Sequence, residues 1–141
     1  MVASNATLIV PGATLYHFGV LTSSVHMAWM RTVCGRLKSD YRYSAAIVYN
    51  NFPWPKAARP ESAPYRSGAG DGRANTPGSP QSEIEKTAHG ILDVRALYPD
   101  SSLADLYDPL TMPPELRKAH AANDAAVMKA YGFQPTLTEP E

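Results

Sequence analysis

The chain has 141 residues, 44% of them hydrophobic, and a formal net charge of zero, which suits one ordinary domain with a core. Its single cysteine, Cys34, excludes an internal disulfide and a zinc site built from several cysteines. No run approaches the ~18 apolar residues of a membrane span and the N-terminus lacks a signal-peptide pattern, so we expect a cytoplasmic protein without a membrane partner.

The first part of the chain predicts a short strand followed by two helices. Ala6–Val10 is a β-type run closed by the Pro11-Gly12 turn signal. Residues 15–37 have helical spacing, interrupted at residues 22–24 by three residues that favour helix caps. We therefore expect two helices that meet there, with Gly35 ending the second or lying just inside its last turn. Their predicted core face consists of Leu15, Phe18, Leu21, Val25, Trp29, Thr32 and Val33.

A second strand is predicted over Tyr41–Asn50, which is rich in aromatic and β-branched residues. The prolines of Phe52-Pro53-Trp54-Pro55 end it. Residues 51–54 are similar to the Asn-Pro-Pro-aromatic motif that holds a flipped base in amino-methyltransferases, but Phe52 replaces the first proline. We interpret Phe52 and Trp54 instead as anchors of the strand exit to a core.

Residues 57–80 are predicted to be a flexible linker. They contain four prolines and four glycines, and no Leu, Ile, Val, Met or Phe, so they cannot bury enough apolar surface to offset their ordering entropy. The glycines of residues 68–72 have the spacing of a nucleotide or S-adenosylmethionine loop. No strand pattern precedes them and no helix pattern follows, so we interpret them as linker.

Residues 81–141 predict a small piece with three helices. A capping box of Ser82 and Glu85 begins the first helix and Pro99 ends it. Ser102 with Asp105 caps a short helical turn, and Pro113-Pro114 begins a last helix that runs to Tyr131 and stops at Gly132. The predicted core positions are Ile84, Ala88, Ile91, Arg95 and Tyr98 on the first helix, and Leu116, Ala119, Asn123, Val127 and Ala130 on the last.

The predicted fold class is therefore α+β and mostly helical: a helix pair flanked by two short strands, a flexible linker, and a three-helix C-terminal piece. Two strands do not make an independent sheet, since about three are the usual minimum. We expect the first piece to be cut from a larger sheet. The chain then corresponds to the C-terminal end of a larger protein and has no complete catalytic apparatus of its own.

The histidines fall at no metal-binding spacing, and His120 with Asp124 is predicted to form a surface pair. The charges are more informative. Residues 1–56 hold five basic residues and one acidic residue, whereas residues 81–141 hold five basic and ten acidic residues. This asymmetry fits an anionic partner for the first part; the alternative is that the surface charges have drifted apart without a function.

The basic residues of the first part are interleaved with aromatic ones. Such a pattern suits DNA, because lysine and arginine neutralise phosphates while tyrosine offers a hydroxyl and a stacking face. On a strand, Tyr41, Tyr43 and Tyr49 would share one face and Arg42 would lie on the other. An aromatic core face with solvated charges is the alternative. The candidate DNA contacts are Arg31, Arg36, Lys38, Arg42 and Tyr43.

Two long strings carry a family resemblance: LYHFGVLTSSVHMAWMRTVCGRLKSDYRYSAAIVYNNFPWP and ILDVRALYPDSSLADLYDPLTMPPELRKAH. They resemble the C-terminal region of the MmeI-like, single-chain type II restriction-modification DNA methyltransferases of bacteria. The element Leu21-x-Ser23-Ser24-x-x-x-x-Trp29 is similar to one found widely in target recognition domains. The resemblance implies that residues 1–56 end such a domain and that residues 81–141 form the C-terminal helical domain.

The resemblance also implies a parent enzyme that transfers a methyl group from S-adenosylmethionine to an adenine N6, in many members with an N-terminal nuclease domain. Neither core lies in these residues, so we expect no catalytic, cofactor-binding or metal-binding residue in this chain. The expected partners are double-stranded DNA and the methyltransferase core of the parent. The alternative is a structural brace of that core without direct DNA contact.

Overall fold

A computed structural model describes residues 7–38, 40–55 and 78–134, and these are mostly helical, as the sequence predicts. The rest of the predicted linker, residues 57–77 with the glycines of residues 68–72, lies outside the described residues. The elements are α1 (Leu15–Leu21), α2 (Ser24–Val33), β1 (Gly35–Leu37), β2 (Asp40–Arg42), a π-helical turn (Ala45–Tyr49), α3 (Pro80–Ala96), α4 (Leu103–Leu106) and α5 (Pro114–Tyr131).

The break between α1 and α2 lies where the capping residues predict it. The Ser23 hydroxyl accepts from the amide of His26, at 3.3 Å, and donates to the carbonyl of Val20, at 2.6 Å. Helix α2 ends at Val33 with an extended residue at Cys34. The prediction that Gly35 ends the helix is wrong, because Gly35 begins β1 and pairs with Arg42.

Both strand predictions need correction. Thr7–Val10, the described part of the first predicted strand, has no regular structure, and no strand in the described part of the chain pairs with it. The second predicted strand stops at Arg42. Ser44 then caps the π-helical turn by accepting from the amide of Ile47, and Trp29 Nε1 holds this turn by donating to the carbonyl of Val48 at 2.9 Å. A tertiary hydrogen bond and a local cap thus override the β propensity of the run.

The two parts of the chain share one core. Tyr16, Val20 and Phe52 from the first part pack with Ile84 and Val127 from the second. Phe52 is 5% exposed and Trp54 packs against the same cluster, which confirms both as anchors. A smaller cluster of Ile91, Leu106 and Leu116 lies beside it.

The buried face of α1 and α2 differs from the predicted one. Tyr16, Val20, His26 and Met30 are buried, whereas Thr32 is exposed. Val25, Trp29 and Phe18, from the predicted face, are half-buried at the margins of the two clusters. For α1 the reason is that it packs on α3 and α5, from the other end of the chain. On α2, His26 is covered instead by Tyr43 and Phe52 of the first part.

A buried asparagine joins the two parts. Asn123 is fully buried on α5; its Nδ2 donates to the carbonyl of Gly19 on α1, at 2.8 Å, and its Oδ1 accepts from Thr87, at 3.1 Å. The approach of α1 to α3 requires glycine at position 19, since a Cβ there would lie 2.6 Å from Cγ2 of Ile84.

Asp124, next to Asn123, also faces the first part. Its carboxylate accepts from the amide of Ser24, at the start of α2, at 2.8 Å. The carboxylate of Asp124 also acts on His120, as the predicted pair implies: burial lowers the pKa of His120, and Asp124 offsets part of that shift. His120 Nε2 itself lies 2.7 Å from the hydroxyl of Tyr107.

Most helices of the second part match the predicted ones. Helix α3 begins at Pro80 with Ser79 as its cap, so the Ser82 capping box is wrong and the helix begins inside the predicted linker. The Ser102–Asp105 capping box is confirmed. Helix α5 runs from Pro114 to Tyr131, and Gly132 stops it with a φ of 75°. The predicted core positions Ile84, Ala88, Ile91, Leu116, Asn123 and Val127 are buried.

Candidate nucleic-acid interface

Strands β1 and β2 form an antiparallel hairpin that carries three of the five candidate DNA contacts, and we call residues 35–42 the basic hairpin. Its cross-strand pairs are Gly35 with Arg42, Arg36 with Tyr41 and Leu37 with Asp40. Lys38 lies in the connecting turn with a φ of 59°. The left-handed conformation costs a non-glycine residue ~1–2 kcal/mol, so Lys38 carries a local backbone strain.

The hairpin presents its cations on two faces. Directly opposed residues in an antiparallel ladder share a face, so Arg36 and Tyr41 lie on one side and Arg42 lies on the other. Both arginines and Lys38 are exposed. The guanidinium carbon of Arg36 lies 4.4 Å from the centroid of the Tyr41 ring, and its Nη2 donates to the Tyr41 hydroxyl at 2.7 Å. Stacking pre-orders this arginine for a planar or anionic ligand.

The remaining two candidates flank the hairpin. Arg31 is exposed in the last turn of α2, two residues before that helix ends. Tyr43 directly follows β2 and is 37% exposed. All five candidates therefore belong to one continuous stretch at the end of α2 and the hairpin. The strand face predicted for Tyr41, Tyr43 and Tyr49 does not form, because Tyr49 lies on the π-helical turn.

Tyr43 is bound to a residue that the sequence analysis set aside. Its hydroxyl lies 3.0 Å from Nε2 of His26, which is 3% exposed on α2. The His26 ring also packs edge-on against Phe52, with centroids 4.4 Å apart. Burial lowers the pKa of His26 and raises that of Tyr43. The sequence signal that could have identified His26 as a buried residue is its helical spacing of four residues from the apolar Met30.

An apolar groove of about 560 Å³ adjoins the hairpin. Its walls include Leu21, Met27, Met30 and Tyr43, and residues 7–10 run along it. Leu8 and Ile9 are 52% and 68% exposed. Adjacent exposed apolar side chains of this kind suit a protein contact better than a contact with phosphate.

The residues that resembled a base-holding motif are used internally. The Asn51 amide donates to the carbonyls of Ala46 and Ile47, at 2.8 and 3.0 Å, and thereby closes the π-helical turn. Over residues 7–38, 40–55 and 78–134 there is no group of three or more His, Cys, Asp or Glu side chains that could hold a metal ion. No helix in this part of the chain is long and apolar enough to cross a membrane.

Comparison with protein families places each part of the chain. The family described as the MmeI target recognition domain matches residues 1–56, and the MmeI C-terminal domain matches residues 77–141. The chain belongs to the MmeI family. It therefore holds recognition-domain and C-terminal-domain sequence in the order that the resemblance implies.

Two relatives of this MmeI-family chain are much longer than it is. DNA methyltransferase A of Bacillus subtilis (strain 168) is 38% identical over 130 residues, which are 92% of this chain and 12% of that protein. The structure of the type IIL restriction-modification enzyme MmeI in complex with DNA matches with a TM-score of 0.73 and 45% identity, over 92% of this chain and 15% of that one. The MmeI-family chain thus spans less than a sixth of each relative.

Proposed function

We propose that this chain is the non-catalytic, DNA-contacting C-terminal part of a bacterial type II restriction-modification DNA methyltransferase, and that it helps to recognise the target and to position the enzyme. The observation that carries the proposal is the exposed basic hairpin within the segment that matches a target recognition domain. The parent enzyme would act in the cytoplasm and transfer a methyl group from S-adenosylmethionine to an adenine N6. The residues for that chemistry would lie outside this chain.

The shape of the basic hairpin supports DNA as its ligand. The major groove of B-DNA is wide enough for a two-stranded β-ribbon, and phosphates line both of its walls. Both faces of a ribbon inserted in this groove lie near phosphates. The hairpin matches this distribution of charge, because Arg36 lies on one face, Arg42 on the other and Lys38 at the turn. Arg31 extends the cationic surface onto the end of α2.

The rival proposal is a structural brace of the parent's methyltransferase core without DNA contact. The apolar groove and the exposed Leu8 and Ile9 favour a protein partner on the face next to the hairpin. The two proposals differ in one respect: only the first requires the arginines of the hairpin to meet phosphates.

Salt-dependent binding of the full chain to duplex DNA tests the proposal. If Arg31, Arg36, Lys38 and Arg42 each neutralise one phosphate, log affinity should fall against log salt with a slope of about −3.6. Non-specific affinities of this kind are ~10⁻⁴–10⁻⁶ M, so the measurement belongs at low salt. Replacing Arg31 and Arg36 together with alanine should flatten the slope by about two, since each contact contributes ~0.9.

The matched control removes two exposed cations from the acidic part of the chain. A variant with Lys86→Ala and Lys118→Ala loses the same net charge, from α3 and α5, and should keep the salt slope of the unsubstituted chain. If the arginine variant also keeps that slope, the hairpin does not meet phosphates and the brace is the better proposal. Equal flattening in both variants would show that only overall charge attracts the DNA.

A further inference from the structure

The hydrogen bond between His26 and Tyr43 ties the basic hairpin to the shared core. Tyr43 is the residue after β2, so its position fixes the end of the hairpin strand. His26 lies on α2 and is 3% exposed, and its Nε2 is 3.0 Å from the Tyr43 hydroxyl. The bond spans 17 residues and connects the end of a short ribbon to a packed helix.

The surroundings of His26 hold its ring in one orientation. The backbone amide of His26 donates to the Ser23 hydroxyl at the start of α2, and its ring packs edge-on against Phe52. Phe52 belongs to the core cluster that includes Ile84 and Val127 from the second part of the chain. A side chain held by a ring contact to a packed core can transmit its position to whatever it binds.

The other ring nitrogen of His26 shows how the bond is polarised. Nδ1 is buried and has no hydrogen-bond partner in the described part of the chain. A buried N–H without a partner is rarer in proteins than a buried lone pair without one, so the proton belongs on Nε2. Nε2 then donates to the Tyr43 oxygen.

We propose that His26 is a positioning residue for DNA binding: it docks the basic hairpin against α2 through the Tyr43 hydroxyl and does not touch DNA itself. This inference rests on the proposed function, because the hairpin is the element that binds. It assigns His26 an energetic role in affinity that neither its charge nor its exposure would suggest, since it is buried and burial disfavours its protonated form.

A double-mutant cycle on the full chain tests the proposal. His26→Phe and Tyr43→Phe each keep an aromatic ring and remove the hydrogen bond. One net hydrogen bond corresponds to a factor of about 2 to 12, so each variant should lose about that much affinity for duplex DNA at low salt. The double variant should lose no more than either single variant, because both changes remove the same bond. His26→Gln, which retains a side-chain donor, should recover most of the affinity.

Tyr107→Phe is the matched control, since it also removes a tyrosine–histidine hydrogen bond, the 2.7 Å contact with Nε2 of His120, but in the acidic second part of the chain. It should leave the affinity unchanged. Additive losses from His26→Phe and Tyr43→Phe would overturn the proposal, because Tyr43 would then act on DNA independently of His26. Unchanged affinity in His26→Phe would overturn it as well.

A measurement without DNA separates this proposal from the proposed function. Amide order parameters of residues 35–42 should fall, in both His26→Phe and Tyr43→Phe, from the rigid range near 0.85 toward the flexible range below about 0.6, while those of α3 stay unchanged. The order parameters of the hairpin could fall in the variants while the unsubstituted chain binds no DNA. In that case the proposed function fails and the docking role stands. If the order parameters do not change, the docking role fails whatever the DNA measurement shows.

Discussion

The close contact between α1 and α3 at Gly19 gives the sharpest test of how the two parts of the chain form one unit. We expect Gly19→Ala to destabilise the fold. A Cβ at this position would lie 2.6 Å from Cγ2 of Ile84, 3.0 Å from Oδ1 of Asn123 and 3.2 Å from Cβ of Ala88. Ile84 and Ala88 are fully buried, and a branched methyl so near the backbone cannot turn aside.

The size of the destabilisation follows from two contributions that lower stability and one that raises it. Overpacking a tight core costs ~1–3 kcal/mol. Displacing Asn123 also weakens its 2.8 Å hydrogen bond to the Gly19 carbonyl, a loss of ~1 kcal/mol. Against these, alanine is the better helix former by ~1 kcal/mol. The net expectation is a loss of ~1–3 kcal/mol in the free energy of unfolding.

Urea denaturation of the full chain measures this loss, and Gly90→Ala is the matched control. Gly90 lies within α3, and a Cβ there would meet nothing within 4 Å, so alanine should stabilise the chain by ~0.5–1 kcal/mol through helix propensity alone. The two glycine-to-alanine changes should therefore shift the urea midpoint in opposite directions. If Gly19→Ala is as stable as Gly90→Ala, the two helices do not approach each other as described and the shared core is wrong.

Three further predictions follow from the same contacts and from the sequence. Asp124→Ala should lower the free energy of unfolding by ~1 kcal/mol in urea denaturation, because the Ser24 amide loses its acceptor; an unchanged midpoint would show that water replaces the carboxylate at no cost. Burial lowers the pKa of His26, so the neutral ring stabilises the fold above the ordinary pKa of about 6.5. This stabilisation is lost as the pH falls through the lowered pKa of the folded state. The free energy of unfolding measured from pH 7 to 5 should therefore decrease, and it should decrease less in His26→Gln. The isolated chain should not bind S-adenosylmethionine, since no strand–loop–helix glycine pattern occurs in its sequence; saturable micromolar binding in titration calorimetry would contradict this.

Local rules account for the elements that the sequence predicted correctly. The capping residues at Ser23 and Ser102 and the prolines before α5 act within a few residues of themselves, so their effects are visible without a fold. The same holds for the stop at Gly132, whose positive φ favours glycine. The family resemblance rested on long strings and likewise did not need a structure.

The errors arise where a partner distant in sequence decides the outcome. The run from Tyr41 to Asn50 has strand propensity, yet only Asp40–Arg42 finds a partner strand, and Trp29 holds the following turn through the Val48 carbonyl. The Ser44 cap was a readable local signal that the aromatic composition outweighed in our prediction. Among the candidate DNA contacts, the sequence supplied the residue types but not the two faces on which Arg36 and Arg42 lie.

The sequence by itself determined the start of α2, the start of α4, both ends of α5, the mostly helical class, the family and the separation of basic from acidic parts. Each of these depends on neighbouring residues or on composition. Only the tertiary structure decided that the two parts share a core, that Gly19 and Asn123 meet across it, and that His26 is buried beneath the hairpin. These contacts join residues that are 104 and 17 positions apart. Their physical cause is burial of apolar surface between elements that local patterns cannot pair, and the polar bonds form only once that burial has excluded water.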